Sequence, residues 1–246
     1  MAKGDAEPEG DIGAFFDIDG TVAASNLVDA YIDLRLHAVS ISRKLLRLLR
    51  FAPKLPYYAL LDTFSRARFN EAFFRNYRDV SMEELSFWAQ DRAREFWALR
   101  IYPAALEEIE YHRKQGHRIV LVTGGLKPMA QPLADLVKAD GCVAAEIESV
   151  DGRLTGSLPG GPLSGRVKAM ETRRLAKDWG VDLRRSYAYA DSYADREFLE
   201  GLGHPIAVNP DHRLRRIATS RGWEVRRWRR ERREASPSAG AGSRRR

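Results

Sequence analysis

Two aspartates separated by a single residue, in Asp17-Ile18-Asp19-Gly20-Thr21, are the residues best placed to do chemistry. They follow the short apolar run Ala14-Phe15-Phe16, which reads as a buried strand ending in a polar loop. Acids at i and i+2 point the same way on extended backbone, so both carboxylates can face one pocket. One carboxylate of such a pair can take up a phosphoryl group while the other protonates the leaving alkoxide and later takes a proton from water. A phosphate dianion repels a carboxylate, so the reaction needs added positive charge. An oxygen-preferring cation such as Mg²⁺, held by one or two carboxylates, would supply it.

Asp191 is the candidate second carboxylate, again just past a strand pattern, Ser186-Tyr-Ala-Tyr-Ala190. Asp195 follows one helical turn later, where it can orient a water or Ser192. Lys168 offers a point charge for phosphoryl oxygens, with Arg166 as its rival, and Thr123 with the amides of Gly124 and Gly125 offers hydrogen-bond donors. Each has a plainer explanation when read alone: a turn or cap for the aspartates, a strand-to-helix turn for Thr-Gly-Gly, a solvated helix position for Lys168. Their shared context singles them out. Strand patterns at 14–16, 118–122, 186–190 and 205–208 alternate with helical segments at 128–137 and 166–179, which implies parallel βαβ units. Ligands in such sheets sit beyond the carboxyl ends of the strands, so these loops can converge.

In order, type and context, Phe-Phe-Asp17-Ile-Asp19-Gly-Thr21, Val122-Thr123-Gly-Gly, Gly165-Arg-Val-Lys168 and Asp191-Ser-Tyr-Ala-Asp195 resemble the four motifs of the haloacid dehalogenase (HAD) superfamily, over roughly residues 12 to 226. The resemblance implies an α/β fold with a doubly wound, Rossmann-like parallel sheet and a helical cap inserted after the first strand. It also implies Mg²⁺-dependent hydrolysis of a phosphomonoester through an aspartyl-phosphate. Asp17 would be the nucleophile, and Asp19 the general acid and base, with its carbonyl on the metal. Asp17 and Asp191 would complete the metal site, and Thr123, Gly124 and Lys168 would bind phosphate. The insertion after the first motif looks like the cap of the phosphoserine phosphatase-like branch, subfamily IB. The segment from Gly203 to Asp211, followed by Arg213 to Trp223, is similar to a bacterial hydrolase subfamily within that branch. Where phosphoserine phosphatases carry a Glu that reads the substrate ammonium, this chain has Asn26, which argues against serine phosphate as substrate. Ala190 stands where the family most often has Gly.

The elements that must position these residues divide into a core (1–25 and 101–228), a helical cap (26–100) and a basic tail expected to be disordered (229–246). Helical periodicity runs through 27–36, 41–51, 64–77 and 85–97, with Pro53 and Pro56 breaking the second stretch from the third. Asp151-Gly152 signals a hairpin. Nine Arg against two Glu from Arg226 onward account for the whole net charge of +7. The basicity is therefore a property of the tail, which reads as solubilising or as an electrostatic contact for anionic lipid or nucleic acid. It carries no aromatic ladder, so no sequence-specific nucleic-acid partner is expected. A lone cysteine, Cys142, excludes an internal disulfide and a thiolate metal cluster, and none of the five histidines has ligand spacing. No apolar leader or membrane-spanning run is present, so a cytoplasmic protein is expected. The stretch Ser42 to Phe51, continued by Leu55 to Leu61, is basic on one side and apolar on the other. It reads either as packed cap helices or as a surface for a membrane or an amphipathic phosphate ester. A phosphotransferase and a membrane-peripheral binding module are the alternatives to a hydrolase.

Overall fold

The structure, a computed structural model, describes residues 10–37, 39–78 and 80–230. Six strands form one parallel sheet: β1 (Gly13–Phe16), β2 (Arg118–Leu126), β3 (Gly141–Ala145), β6 (Tyr187–Ala190), β7 (His204–Val208) and β8 (Glu224–Arg226). Their order is β3-β2-β1-β6-β7-β8, the doubly wound arrangement in which the chain leaves β1 first in one direction and then in the other. Two further strands, β4 (Ser149–Val150) and β5 (Arg153–Leu154), make the antiparallel hairpin expected at Asp151-Gly152. Both turn residues have positive φ, 49° and 73°, which Asp tolerates and Gly adopts freely. Ala14, Phe15 and Phe16 are wholly buried, as a central parallel strand covered on both faces must be.

Between β1 and β2 the described chain is helical: α1 (Leu27–Leu36), α2 (Ile41–Phe51), α3 (Leu55–Phe64), α4 (Arg66–Phe74), α5 (Met82–Phe87) and α6 (Ala93–Ala98). The helical periodicity read from the sequence passes over 52–63, because Pro53 and Pro56 read as breakers. The structure corrects this, since Pro56 lies in the first turn of α3, where its missing N–H leaves no hydrogen bond unmade and its fixed φ suits a helix start. Phe51, Tyr58, Phe69, Phe73 and Tyr77 pack as the insertion's own aromatic core. The helices α7 (Pro103–Lys114), α8 (Lys127–Leu136), α9 (Gly165–Asp178), α10 (Arg196–Glu200) and α11 (His212–Arg221) belong to the sheet layer. The insertion is tied to α8 through Trp97 Nε1, which donates to the Met129 carbonyl at 3.0 Å, and Tyr77 Oη, 3.3 Å from Met129 Sδ. Of the expected tail, residues 231–246 lie outside the described residues. Among the described residues no helix is long and apolar enough to cross a membrane.

Candidate active site

Asp17 begins where β1 stops, and its N–H continues the ladder to the Tyr189 carbonyl at 2.9 Å. The chain then doubles back tightly: Ala23 N–H donates to the Ile18 carbonyl at 2.9 Å and Gly20 N–H to the Ala23 carbonyl at 2.8 Å. Gly20 has φ of 81°, and a Cβ there would fall 2.1 Å from Asp191 Oδ2. Glycine is thus required both by the backbone and by the close approach of the carboxylate that leaves the neighbouring strand β6. Ala190 packs into the sheet beside Ala207 and the loop still delivers Asp191 to the site.

Three carboxylates, Asp17, Asp191 and Asp195, bring oxygen atoms within 4.8 Å of one another. The only cation in direct contact with them among the described residues is Lys168, in the first turn of α9. Its Nζ lies 2.5 Å from Asp17 Oδ1 and 3.1 Å from Asp195 Oδ1, and the side chain is 2% exposed. Arg166, the rival, is exposed. Asp195 comes closer in than the sequence alone predicts: its carboxylate joins the cluster, while the Ser192 hydroxyl accepts from Ala194 N–H at 3.2 Å and caps the turn. Asp19 stands to one side, held by Ser25 Oγ, which donates to its Oδ1 at 2.7 Å.

The imbalance of charge shows in the protonation of these groups. Burial pushes the Asp17 carboxyl up to about 7, with Asp195 and Asp19 adding to burial and Lys168 opposing it. Burial also raises Asp19, against the Ser25 hydrogen bond, and raises Asp191 strongly, with Asp17 and Asp195 adding to it. Burial alone would lower Lys168, but Asp17 and Asp195 outweigh it and keep the ammonium charged. An all-oxygen donor set, short of positive charge and largely buried, suits a hard divalent cation.

Gly124 lines the same cavity, of about 120 Å³, with Asn26, Leu27, Arg66 and Asn70 of the insertion opposite it. Thr123 does not line it. The sequence predicts a loop at Thr123-Gly-Gly, whereas β2 continues to Leu126 with a shift of register against β3 between Val122 and Leu126. Thr123 Oγ1 accepts from Gly125 N–H at 2.9 Å, and its side chain faces a small void shared with Ile18, Tyr77 and Trp97. Asn26 Oδ1 accepts from the Val28 and Asp29 N–H groups and so caps α1, which takes its carbonyl oxygen away from a substrate ammonium.

Two cavity residues are invisible to motif reasoning. Arg66 is one of many arginines in the insertion and nothing in the sequence marks it. Asn70 carries a signal, a polar residue on the apolar face formed by Phe69, Phe73 and Phe74. It is 1% exposed, its Oδ1 has no hydrogen-bond partner, and its Nδ2 sits 3.0 Å from where a Cβ on Gly124 would be.

A profile of the haloacid dehalogenase-like hydrolases matches residues 14–200. The chain is 37% identical over 146 residues to a Mycobacterium tuberculosis protein named phosphoserine phosphatase SerB1, covering 59% of this chain and 47% of that one, so it spans about half that relative's length. A protein of unknown function from Bordetella pertussis Tohama I shares its fold with a TM-score of 0.72 at 25% identity, over 88% of this chain and 98% of that one. A phospho-aspartyl intermediate analogue of phosphoserine phosphatase superposes with a TM-score of 0.64 at 16% identity, over 91% and 96% of the two chains, a likeness of fold.

Proposed function

The chain belongs to the haloacid dehalogenase-like hydrolase family, and on that premise we propose that it is a phosphomonoesterase working through an aspartyl-phosphate. The observation that carries this reading is the meeting of Asp17, Asp191, Asp195 and Lys168, from three separate stretches of chain, within one buried cluster.

In the proposed reaction Asp17 Oδ bonds to phosphorus as the ester P–O bond breaks, and Asp19 gives its proton to the leaving oxygen. Burial raises the Asp19 pKa, which favours the protonated form a general acid needs, and Ser25 holds the carboxyl in place. Water then attacks phosphorus, its proton passes to Asp19, and Asp17 leaves as the free carboxylate with inorganic phosphate as product. Lys168 and the Gly124 amide bind phosphoryl oxygens throughout. The void that holds Thr123 lies beside Asp19, so its hydroxyl reaches phosphate only after a rotation away from Gly125 N–H. Asp17 and Asp191, with the Asp19 carbonyl, would hold Mg²⁺, and Asp195 would position Lys168. The metal would neutralise phosphoryl charge and lower the pKa of Asp17.

The cavity is far smaller than the roughly 300–1,000 Å³ of typical ligand sites. It has room for a phosphoryl head, and the rest of the ester must extend toward Leu27 and Arg66. The helical insertion, residues 26–100, therefore acts as a cap over the site that opens for entry and closes to exclude water. An apolar and cationic mouth of this kind favours an amphipathic phosphate ester over a small amino-acid phosphate.

The test is phosphate release over a panel of esters with Mg²⁺, with EDTA, and with Asp17→Asn. Metal-dependent release that the substitution abolishes is expected. Undiminished turnover by the variant would eliminate Asp17 as the nucleophile.

A further inference from the structure

The helices α2 and α3 contribute little to the protein interior. Phe51 is the buried residue of α2 and Tyr58 that of α3, and the two rings anchor the pair against Tyr31 and Phe73. The outer surface is apolar in a regular way. Ile41, Leu45 and Leu49 repeat at i, i+4 and i+8 on α2, and Leu60 and Phe64 repeat at i and i+4 on α3. Ile41 is 85% exposed and Phe64 is 77% exposed. Isolated surface leucines need no explanation, but exposed apolar stripes repeated on two consecutive helices mark an interaction surface.

Cations border these stripes. Arg35, Arg43, Arg47, Arg50 and Lys54 line a cavity of about 500 Å³ between α1 and α2, together with apolar side chains such as Leu46 and Leu48. No carboxylate is among its lining residues. Glu84 pairs with Arg35 and Arg47, and Lys54 binds the Asn76 amide oxygen, which leaves the groove with a surplus of positive charge.

We propose that this outer face of α2 and α3 docks on an anionic lipid bilayer, with the apolar stripes in the acyl boundary and the cationic groove on headgroup phosphates. Apolar residues on one side and Arg and Lys on the other are what an interfacial helix requires. The contact stays interfacial, because no described helix could cross a membrane. A second copy of the chain fits poorly, since a two-fold interface would set the same cations against each other. Phe64, the last residue of the α3 stripe, lies two residues before Arg66, which lines the catalytic cavity, so docking would bring the mouth of that cavity close to the lipid surface. The proposal extends the catalytic reading but does not depend on it, because vesicle binding is measured without turnover.

The full-length chain is floated with vesicles of mixed phosphatidylglycerol and phosphatidylcholine and with vesicles of phosphatidylcholine alone. Binding to the anionic vesicles only is expected. It should fall about tenfold or more for L45E with L49E, and roughly tenfold for R43Q with R50Q, with a weaker salt dependence in the latter. Melting temperatures of both variants should match the parent, because these side chains are exposed. No flotation, equal binding to both vesicles, or undiminished binding by the leucine variant would overturn the proposal, the last by assigning the contact to the arginine tail. A dimer that dissociates in the leucine variant, with vesicles ignored, would overturn it in favour of self-association.

Discussion

Two buried polar clusters lie on either side of the same central strands, and their charges are handled in opposite ways. At the carboxyl ends of β1 and β6, three carboxylates crowd one lysine. Between α7 and strands β6 and β8, every group has a partner. Tyr189 Oη donates to Glu108 Oε1 at 2.6 Å and lies 2.7 Å from His112 Nε2. His112 Nδ1 meets His117 Nδ1 at 2.8 Å, and Arg226 pairs with both Glu108 and Glu224. Phe16 stacks on Tyr189 at 4.4 Å, so the strand that ends at Asp17 also seals this network. A satisfied network contributes specificity and rigidity to the fold. The unsatisfied cluster is under electrostatic strain, which protons relieve in the free protein and a bound cation would relieve in their place. The difference teaches that burial of charge is no sign of function in itself; uncompensated burial is.

The sharpest way to break the comparison is to change one residue at a time on each side. Asp17→Asn should lower phosphate release by on the order of 10⁴ or more, while the metal-free protein keeps or gains thermal stability because a repelling charge is gone. A large loss of stability would mean that Asp17 is a structural partner of Lys168. Lys168→Met should cost about 3–5 kcal/mol in denaturant titration, since it strands buried carboxylates, and Mg²⁺ should restore part of that. Gly20→Ala should reduce turnover about 100-fold, because the new methyl displaces Asp191, with little effect on the substrate's KM. On the other side, Tyr189→Phe should cost about 1–3 kcal/mol and leave turnover per folded molecule unchanged. Loss of turnover there would erase the distinction between the two clusters.

The two clusters were not equally legible in the sequence. The cluster around Asp17 lies at the ends of β1 and β6, and Asp17 and Asp191 each follow a short apolar run that reads locally as a buried strand. Parallel topology lets these loops converge, and the resemblance of their order to the four family motifs singles out Lys168, so all three could be named before any coordinates. The second cluster joins α7, β6 and β8 through tertiary packing alone, and nothing near His112 or Glu108 distinguishes them from surface residues of an amphipathic helix. The insertion shows the same limit. Its helices are visible as periodicity, but Arg66 and Asn70 reach the cavity because of how the insertion sits over the sheet, and local pattern does not encode that. The α3 helix was missed for a local reason, since a proline at a helix start and a proline that breaks a helix look alike until the flanking turns are seen.

The smallest expected effect is also the one that separates the clusters by sign. Asp17, ordinarily near 3.8, is raised to about 7 in the folded protein. Its protonated form therefore supports the fold fully below its unfolded value, and that support is lost as pH rises through about 7. His112 is lowered from 6.5 to about 4 by burial, with His117 and Arg226 adding to it. Its neutral form supports the fold above 6.5, and that support is lost as pH falls toward 4. The two effects run in opposite directions across nearly the same window, from about pH 4 to about pH 7, so without metal they largely offset each other in the parent protein. Asp17→Asn should leave a melting temperature that rises with pH through that window, and His112→Gln one that falls. Added Mg²⁺ should raise the melting temperature more at pH 8 than at pH 5.5, because the carboxylates it binds must first give up their protons. An equal rise at both values would show that the three carboxylates do not share the burden that their geometry imposes.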